Sequence, residues 1–306
     1  MPVIAATDVR KTYRRRGKPP KAALDGLDLV VDEGGVHGFL GPNGSGKTTM
    51  LRCLLGLARA DAGDMHVLGQ PVPESLPDVV GDVGVLLESP AFFPPFTGRL
   101  NLQLLATAAE IPSTQIDAVL DVVQLTEAAD ERVKGYSLGM RQRLGIAAAL
   151  LKQPSVLILD EPSNGLDPAG MREVRQLLRT LGDSGVTVLL SSHLLGEVQQ
   201  ICDTVTIINH GRVVTTGPVD EVLQSQSTGA LAVGIADAPR ALEVLVAAGF
   251  SARVEDGRIL VDRVDDGAVV ARALADAQLY PSWLMPQQVD LEQAFLAITA
   301  DEAAES

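Results

Sequence analysis

The chain holds 306 residues, with a formal net charge of −14, 46% hydrophobic residues and 21% charged ones. That length suits about two domains with real cores, the composition is that of an ordinary globular protein, and the acidic balance argues against a nucleic-acid footprint over the whole surface. The apolar runs fall short of the ~18 residues a membrane span needs, the first residues lack a signal peptide's charged flank and apolar core, and Cys53 and Cys202 read as buried, reduced thiols of a cytosolic protein.

From Val3 to Val31 the pattern predicts two strands joined by an exposed loop carrying Arg10, Lys11, Arg14, Arg15, Arg16, Lys18 and Lys21, broken by Gly17, Pro19 and Pro20. A solvated loop is the plainer account of these charges, and contact with anionic lipid or a partner is the alternative. Tyr13 stands in the run, where an aromatic face can stack on a base. Val36 to Leu40 then reads as a buried strand and Lys47 to Leu57 as a helix.

Between them lies Gly41-Pro42-Asn43-Gly44-Ser45-Gly46-Lys47-Thr48-Thr49, which matches the phosphate-binding pattern G-x-x-x-x-G-K-[ST]. Its glycines let backbone N–H groups close around an oxyanion at a helix N-terminus, and Lys47 is placed to reach the terminal phosphates of a nucleotide. The Thr48 hydroxyl suits Mg²⁺, a hard cation held by few protein oxygens plus the phosphates.

Asp61-Ala62-Gly63-Asp64 reads as a turn and Val83 to Leu87 as a strand ending at Glu88. Pro90, Pro94 and Pro95 keep the next segment from becoming helical while Phe92, Phe93 and Phe96 crowd it, which predicts either a docking site or a self-packed loop. Gly98 to Leu151 is mainly helical by periodicity, with breaks at Ile111-Pro112-Ser113 and around Lys134-Gly135. Near its end, in Tyr136-Ser137-Leu138-Gly139-Met140-Arg141-Gln142-Arg143, Ser137 and Gly139 open a helix that is either simply capped or binds a second anion.

Val156 to Asp160 is an apolar strand delivering Asp160 and Glu161 at its C-terminal end, where ligands of α/β sheets bind. Neighbours on a strand point oppositely, so Asp160 suits Mg²⁺ and Glu161 suits polarising an attacking water. A turn at Ser163 to Pro168, a helix from Met171 to Leu181 and a buried strand from Val186 to Leu190 lead to Ser191-Ser192-His193, which sets His193 at another strand end. There it is either structural or a partner for a phosphate or water.

Taken together, these residues resemble the nucleotide-binding subunit of ATP-binding cassette (ABC) transporters, over about Val3 to Leu223. The resemblance makes Gly41 to Thr49 the Walker A loop, Asp160 the Walker B aspartate, Glu161 the catalytic glutamate, Asn164 to Asp167 the D-loop, His193 the switch histidine and Tyr13 the adenine-stacking aromatic. Tyr136 to Met140 takes the place of the L-S-G-G-Q signature, keeping Ser137 and Gly139 as phosphate contacts. Glu88 stands where most of the family has the Q-loop glutamine, and with the Tyr-Ser-x-Gly-Met-Arg-Gln-Arg signature it looks like the bacitracin and lantibiotic-resistance branch. The resemblance implies an ATPase that uses ATP and Mg²⁺, pairs head to tail with a second nucleotide-binding subunit, couples through Glu88 to Phe96 to an integral membrane permease, needs no nucleic acid, and sits on the cytoplasmic face of the membrane.

Beyond Ala230 the order of predicted elements is βαββαβ, with strands Leu231 to Ile235, Ser251 to Glu255, Arg258 to Asp262 and Tyr280 to Pro286, helices Pro239 to Ala248 and Ala268 to Ala277, and a last helix at Leu291 to Leu296. The expected architecture is therefore an α/β P-loop ABC ATPase core over 1–223, with a helical subdomain at about 90–152, and a small α+β accessory domain, ferredoxin-like in order, over 224–306. Three readings of function remain open: the ATPase of an exporter, an ATP clamp acting on ribosomes or nucleic acid, and a weakly hydrolysing regulatory subunit in which Glu88 impairs the switch.

Overall fold

A computed structural model of the chain describes residues 2–14, 17, 19–87, 91–225, 230–255, 257–262, 264 and 266–286. The chain divides into two compact units, Met1–Val219 and Asp220–Ser306. The first unit opens with β1 (Pro2–Tyr13), β2 (Lys21–Asp32), β3 (Val36–Leu40) and α1 (Lys47–Leu54). It continues through β4 (Ala62–Val67), β5 (Gln70–Pro71), α2 (Leu76–Val79) and β6 (Val83–Leu86) to the helices α3 (Gly98–Ala108), α4 (Thr114–Val122) and α5 (Leu138–Leu150). Then come β7 (Val156–Asp160), α6 (Pro168–Asp183), β8 (Thr187–Ser192), α7 (Leu195–Val198), β9 (Thr204–Asn209) and β10 (Arg212–Pro218).

Two sheets share this unit, a four-stranded one in the order β2-β1-β4-β5 and a six-stranded one in the order β10-β9-β3-β8-β7-β6. In the second, β9, β3, β8, β7 and β6 run parallel and β10 closes the edge antiparallel. Every residue of β3, β7 and β8 is buried, as expected of central parallel strands covered on both faces, and this is why their sequences are near-continuous apolar runs. Phe39, Ile158 and Leu189 pack with Met50, Leu51 and Leu54 of α1, fixing that helix at the C-terminal edge of β3. The helix stops at Leu54 rather than Leu57 because Gly56, at φ +66, turns the chain in the left-handed region.

Two expectations for the first sheet are corrected. Of the segment read as a turn at Asp61 to Asp64, Ala62 to Asp64 is the start of β4, where Ala62 pairs with Arg10 and Asp64 with Thr7. Gly63 is there because its φ is +95 and a Cβ would lie 2.5 Å from the Asp8 carbonyl oxygen, beside an irregularity in β1, so the glycine serves a close strand approach rather than a reverse turn. Arg10 and Lys11, expected in an exposed loop, belong to β1. Arg10 pairs with Asp8 and Asp25, and Lys11 with Asp61. Arg15, Arg16 and Lys18 lie outside the described residues.

The helical region is broken at Ile111-Pro112-Ser113 as expected, while its second break is wider, running from the end of α4 through a 3-10 turn at Val133–Gly135. Thr97 caps α3 by accepting from the Leu100 N–H, and Ser137 caps α5 by accepting from the Met140 N–H. Phe93 and Phe96 are both exposed, with their rings 5.5 Å apart, while the Asn101 side chain donates to the Phe93 carbonyl and accepts from its N–H.

In the second unit α8 (Val219–Ser225) carries the chain across the division. It is followed by β11 (Leu231–Gly234), α9 (Ala238–Ala247), β12 (Ala252–Glu255), β13 (Arg258–Val261), α10 (Gly267–Asp276) and β14 (Trp283–Pro286). The sheet order β12-β13-β11-β14, antiparallel throughout, is the ferredoxin-like arrangement that the βαββαβ order requires. Leu231, Val233, Ile259 and Val261 face Ala241 and Leu245 of α9 and Val270 and Leu274 of α10 in its core. The helix expected at Leu291 to Leu296 lies outside the described residues.

Candidate functional site

The functional side chains come together because β3, β7 and β8 are adjacent and parallel, so their C-terminal ends open on one edge of the sheet. The loop from Gly41 to Gly46 leaves β3 there and returns as the N-terminus of α1. Gly44 has φ +83 and Gly46 φ +118, and a Cβ at Gly46 would stand 2.5 Å from the Ala23 carbonyl oxygen, so only glycine lets the loop close so tightly. At Gly41 a Cβ would run into the Ile208 carbonyl oxygen. Pro42 and Asn43 are exposed at the loop's tip, and the Ser45 N–H donates back to the Pro42 carbonyl at 3.2 Å.

A cleft of about 900 Å³ lies over this loop. Tyr13, Asn43, Gly44, Gly46, Lys47, Thr48, Thr49, Glu161, Asn164 and His193 are among its lining residues. The Lys47 ammonium, only 5% exposed, donates to the Gly41 carbonyl at 2.8 Å and to Pro42 at 3.4 Å, and stands 3.3 Å from Glu161 Oε1. His193 Nδ1 is 2.6 Å from the other oxygen of the same carboxylate, Glu161 Oε2. Thr48 Oγ1 donates to Asp160 Oδ2 at 2.8 Å. Asp160 is buried, whereas Glu161 and His193 are partly open to the cleft.

Spacing along the chain does not single out Ser191 as a site residue. In the parallel register it lies directly beside Asp160, its side chain is completely buried, and its hydroxyl donates to Asp160 Oδ1. The same hydroxyl oxygen and the Ser191 carbonyl both accept from the Glu161 N–H, each at 3.1 Å. Glu161 itself has φ +50, a left-handed backbone that turns its side chain out of the strand and over the phosphate loop.

The arrangement fits a nucleotide triphosphate. A buried lysine supplies the counter-charge for phosphates, a buried Ser45 hydroxyl inside the loop has no hydrogen-bond partner among the described residues, and glycine fills the cradle where any Cβ would intrude. A hydroxyl and a carboxylate oxygen at Thr48 and Asp160 are donors of the kind Mg²⁺ takes when phosphates complete its shell. Tyr13 is 39% exposed at the mouth of the cleft, with Lys11 Nζ 5.6 Å from its ring centre. Ser137 and Gly139 lie apart from these residues, at the start of α5, and are not among the lining of the cleft. Glu88 lies outside the described residues.

The sequence matches the model of the ABC transporter family over residues 24–164. It is 39% identical over 222 residues to the bacitracin transport ATP-binding protein BcrA of Bacillus licheniformis, covering 72% of this chain and 71% of that one. It is 36% identical over 293 residues to the daunorubicin resistance ATP-binding protein DrrA3 of Streptomyces coeruleorubidus, covering 92% of each. Among solved structures, cbiO1 from Clostridium perfringens, described as part of the ABC transporter complex cbiONQ, superposes with a TM-score of 0.65 at 26% identity, over 74% of this chain and 92% of that one. With the phosphate loop, the paired carboxylates and the histidine gathered at one sheet edge, the chain belongs to the ABC transporter family, as one of its ATP-binding and ATP-hydrolysing subunits.

Proposed function

We propose that this subunit powers an exporter of drug-like or peptide-antibiotic molecules through a separate membrane permease, and that it works from the cytoplasmic face as one half of a head-to-tail dimer. The export direction and substrate class rest on the likeness to the bacitracin and daunorubicin proteins. The exposed Phe93 and Phe96 offer an apolar patch for the permease, held in place by Asn101.

The observation that carries the chemistry is the shared Glu161 carboxylate, gripped on one oxygen by Lys47 and on the other by His193. When the phosphates of ATP draw the Lys47 ammonium to themselves, Glu161 Oε1 is released to accept the proton of an attacking water. His193 holds the opposite oxygen and keeps the carboxylate aimed across the phosphate loop. Thr48 and Asp160 would hold Mg²⁺, which supplies neutralising charge to the transferring phosphoryl group. Ser137 and Gly139, presented away from the chain's own cleft, serve the ATP bound by the partner subunit, which they meet with the N-terminus of α5.

ATP turnover and ATP binding of Glu161→Gln test this reading. Turnover is expected to fall by on the order of 10² to 10⁴ with binding retained, as loss of a general base requires. Near-normal turnover overturns it.

A further inference from the structure

Ser191 is a fully buried hydroxyl near the end of β8, in register with Asp160, and neither the phosphate-loop nor the carboxylate motif accounts for it. A serine hydroxyl has one proton to donate and lone pairs to accept with. Here both capacities are spent on the two acidic site residues: the proton goes to the Asp160 carboxylate at Oδ1, and the oxygen receives the backbone N–H of Glu161. Asp160 is thereby held on both oxygens, by Ser191 on Oδ1 and by Thr48 on Oδ2, so its carboxylate plane is fixed. Glu161 is held at the point where its backbone takes the costly left-handed turn.

We propose that Ser191 is a positioning residue for hydrolysis, locking the orientation of the Asp160 carboxylate and the backbone turn of Glu161 through one shared hydroxyl. The inference rests on the roles proposed for Asp160 and Glu161. Removing the partner that stands behind a binding carboxylate commonly costs 10–100-fold in affinity or activity.

The decisive comparison is Ser191→Thr against Ser191→Val. The two side chains have the same shape and β-branched form, both suit a buried strand, and they differ only in hydroxyl against methyl. Ser191→Val is expected to lower ATP turnover about 10–100-fold, with a smaller change in KM, while Ser191→Thr keeps most of it. In the nucleotide-free protein, amide hydrogen exchange at Glu161 is expected to be faster in the Val variant than in the Thr variant, a readout that does not depend on turnover. Should the Val variant fail to fold, Ser191→Ala against the unmutated chain gives the same comparison. Thr and Val variants alike in both turnover and Glu161 exchange would overturn the proposal. Glu161→Gln measured alongside separates the two levels: a large loss there, with Thr and Val indistinguishable, removes the role of Ser191 alone, whereas normal turnover in Glu161→Gln removes the reading beneath it.

Discussion

Glu161 stands at φ +50, a conformation costing on the order of 1 kcal/mol for a residue with a Cβ, and the sheet edge supplies two acceptors for its N–H in compensation. The strain places the carboxylate between Lys47 and His193 instead of in line with β7. The residues proposed for this chemistry stand out in the sequence where they are contiguous, as in Gly41 to Thr49 or Asp160-Glu161. Ser191 does not, because its closeness to Asp160 is a matter of strand register between β7 and β8, which spacing along one chain does not encode. Tyr13 is legible only as an aromatic, and its placement at the cleft mouth gives it a measurable task. Base stacking of the usual strength, about 1–3 kcal/mol, predicts that Tyr13→Ala raises the KM for ATP roughly 5–160-fold and leaves kcat little changed, since stacking is uniform binding. A steady-state titration of ATP checks it, and a loss confined to kcat would contradict it.

At the level of elements, the central parallel strands β3, β7 and β8 are plain in the sequence because they are apolar runs ended by polar residues, whereas the parallel β9 and its antiparallel neighbour β10 are not. Their signal is turn chemistry: His210 at φ +46 and Gly211 at φ +79 form the tight connection between them, and the polar Thr204, Thr206, Thr215 and Thr216 disguise the flanking strands. Two of these threonines face His37 in β3, whose ring lies 2.7 Å from Thr204 Oγ1 and 3.0 Å from Thr206 Oγ1. Burial pushes the His37 pKa down to about 4 from 6.5, against the opposing pull of the Asp32 charge. The unfolded chain therefore binds a proton at this site between pH 6.5 and 4 that the folded chain refuses, so His37 favours folding fully above pH 6.5, and that contribution fades as pH falls toward 4. The full effect is about 3 kcal/mol. Denaturant unfolding measured from about pH 7 to about pH 4.5 is expected to show a loss of stability that is flattened in His37→Gln. The carboxylates of Asp25, beside Arg212, and of Asp61, bonded to the Thr12 N–H and Lys11, are held below their usual range, so they act only at lower pH.

Across the whole molecule, the structure divides between Val219 and Asp220, whereas the sequence suggests a boundary after residue 223; the βαββαβ order of the second unit, beginning near residue 230, has few antiparallel solutions. The contact surfaces are less legible: a loop of three phenylalanines announces exposed apolar area without naming its cover. The clearest molecular-scale signal is a separation, with the phosphate loop and Glu161 in one cleft and Ser137 and Gly139 outside it. Gly139 is in contact with Gly170 of α6, since a Cβ at Gly139 would lie at an ordinary van der Waals distance of 3.6 Å from the Gly170 Cα, so the start of α5 is packed against the helix that follows Asn164 to Asp167. The head-to-tail pairing proposed above completes a site split in this way from a second subunit, and on that proposal hydrolysis is a property of the pair.

The most direct test mixes two inactive variants, Lys47→Ala, which lacks the phosphate lysine but keeps Ser137, and Ser137→Arg, which lacks the outward contact but keeps the phosphate loop. Each alone is predicted to hydrolyse ATP at a small fraction of the unmutated rate. An equal mixture is predicted to recover roughly a quarter of it, because random pairing makes half of the dimers mixed and each mixed dimer holds one intact site. No recovery on mixing, or full turnover by Ser137→Arg on its own, would contradict a site shared between two copies.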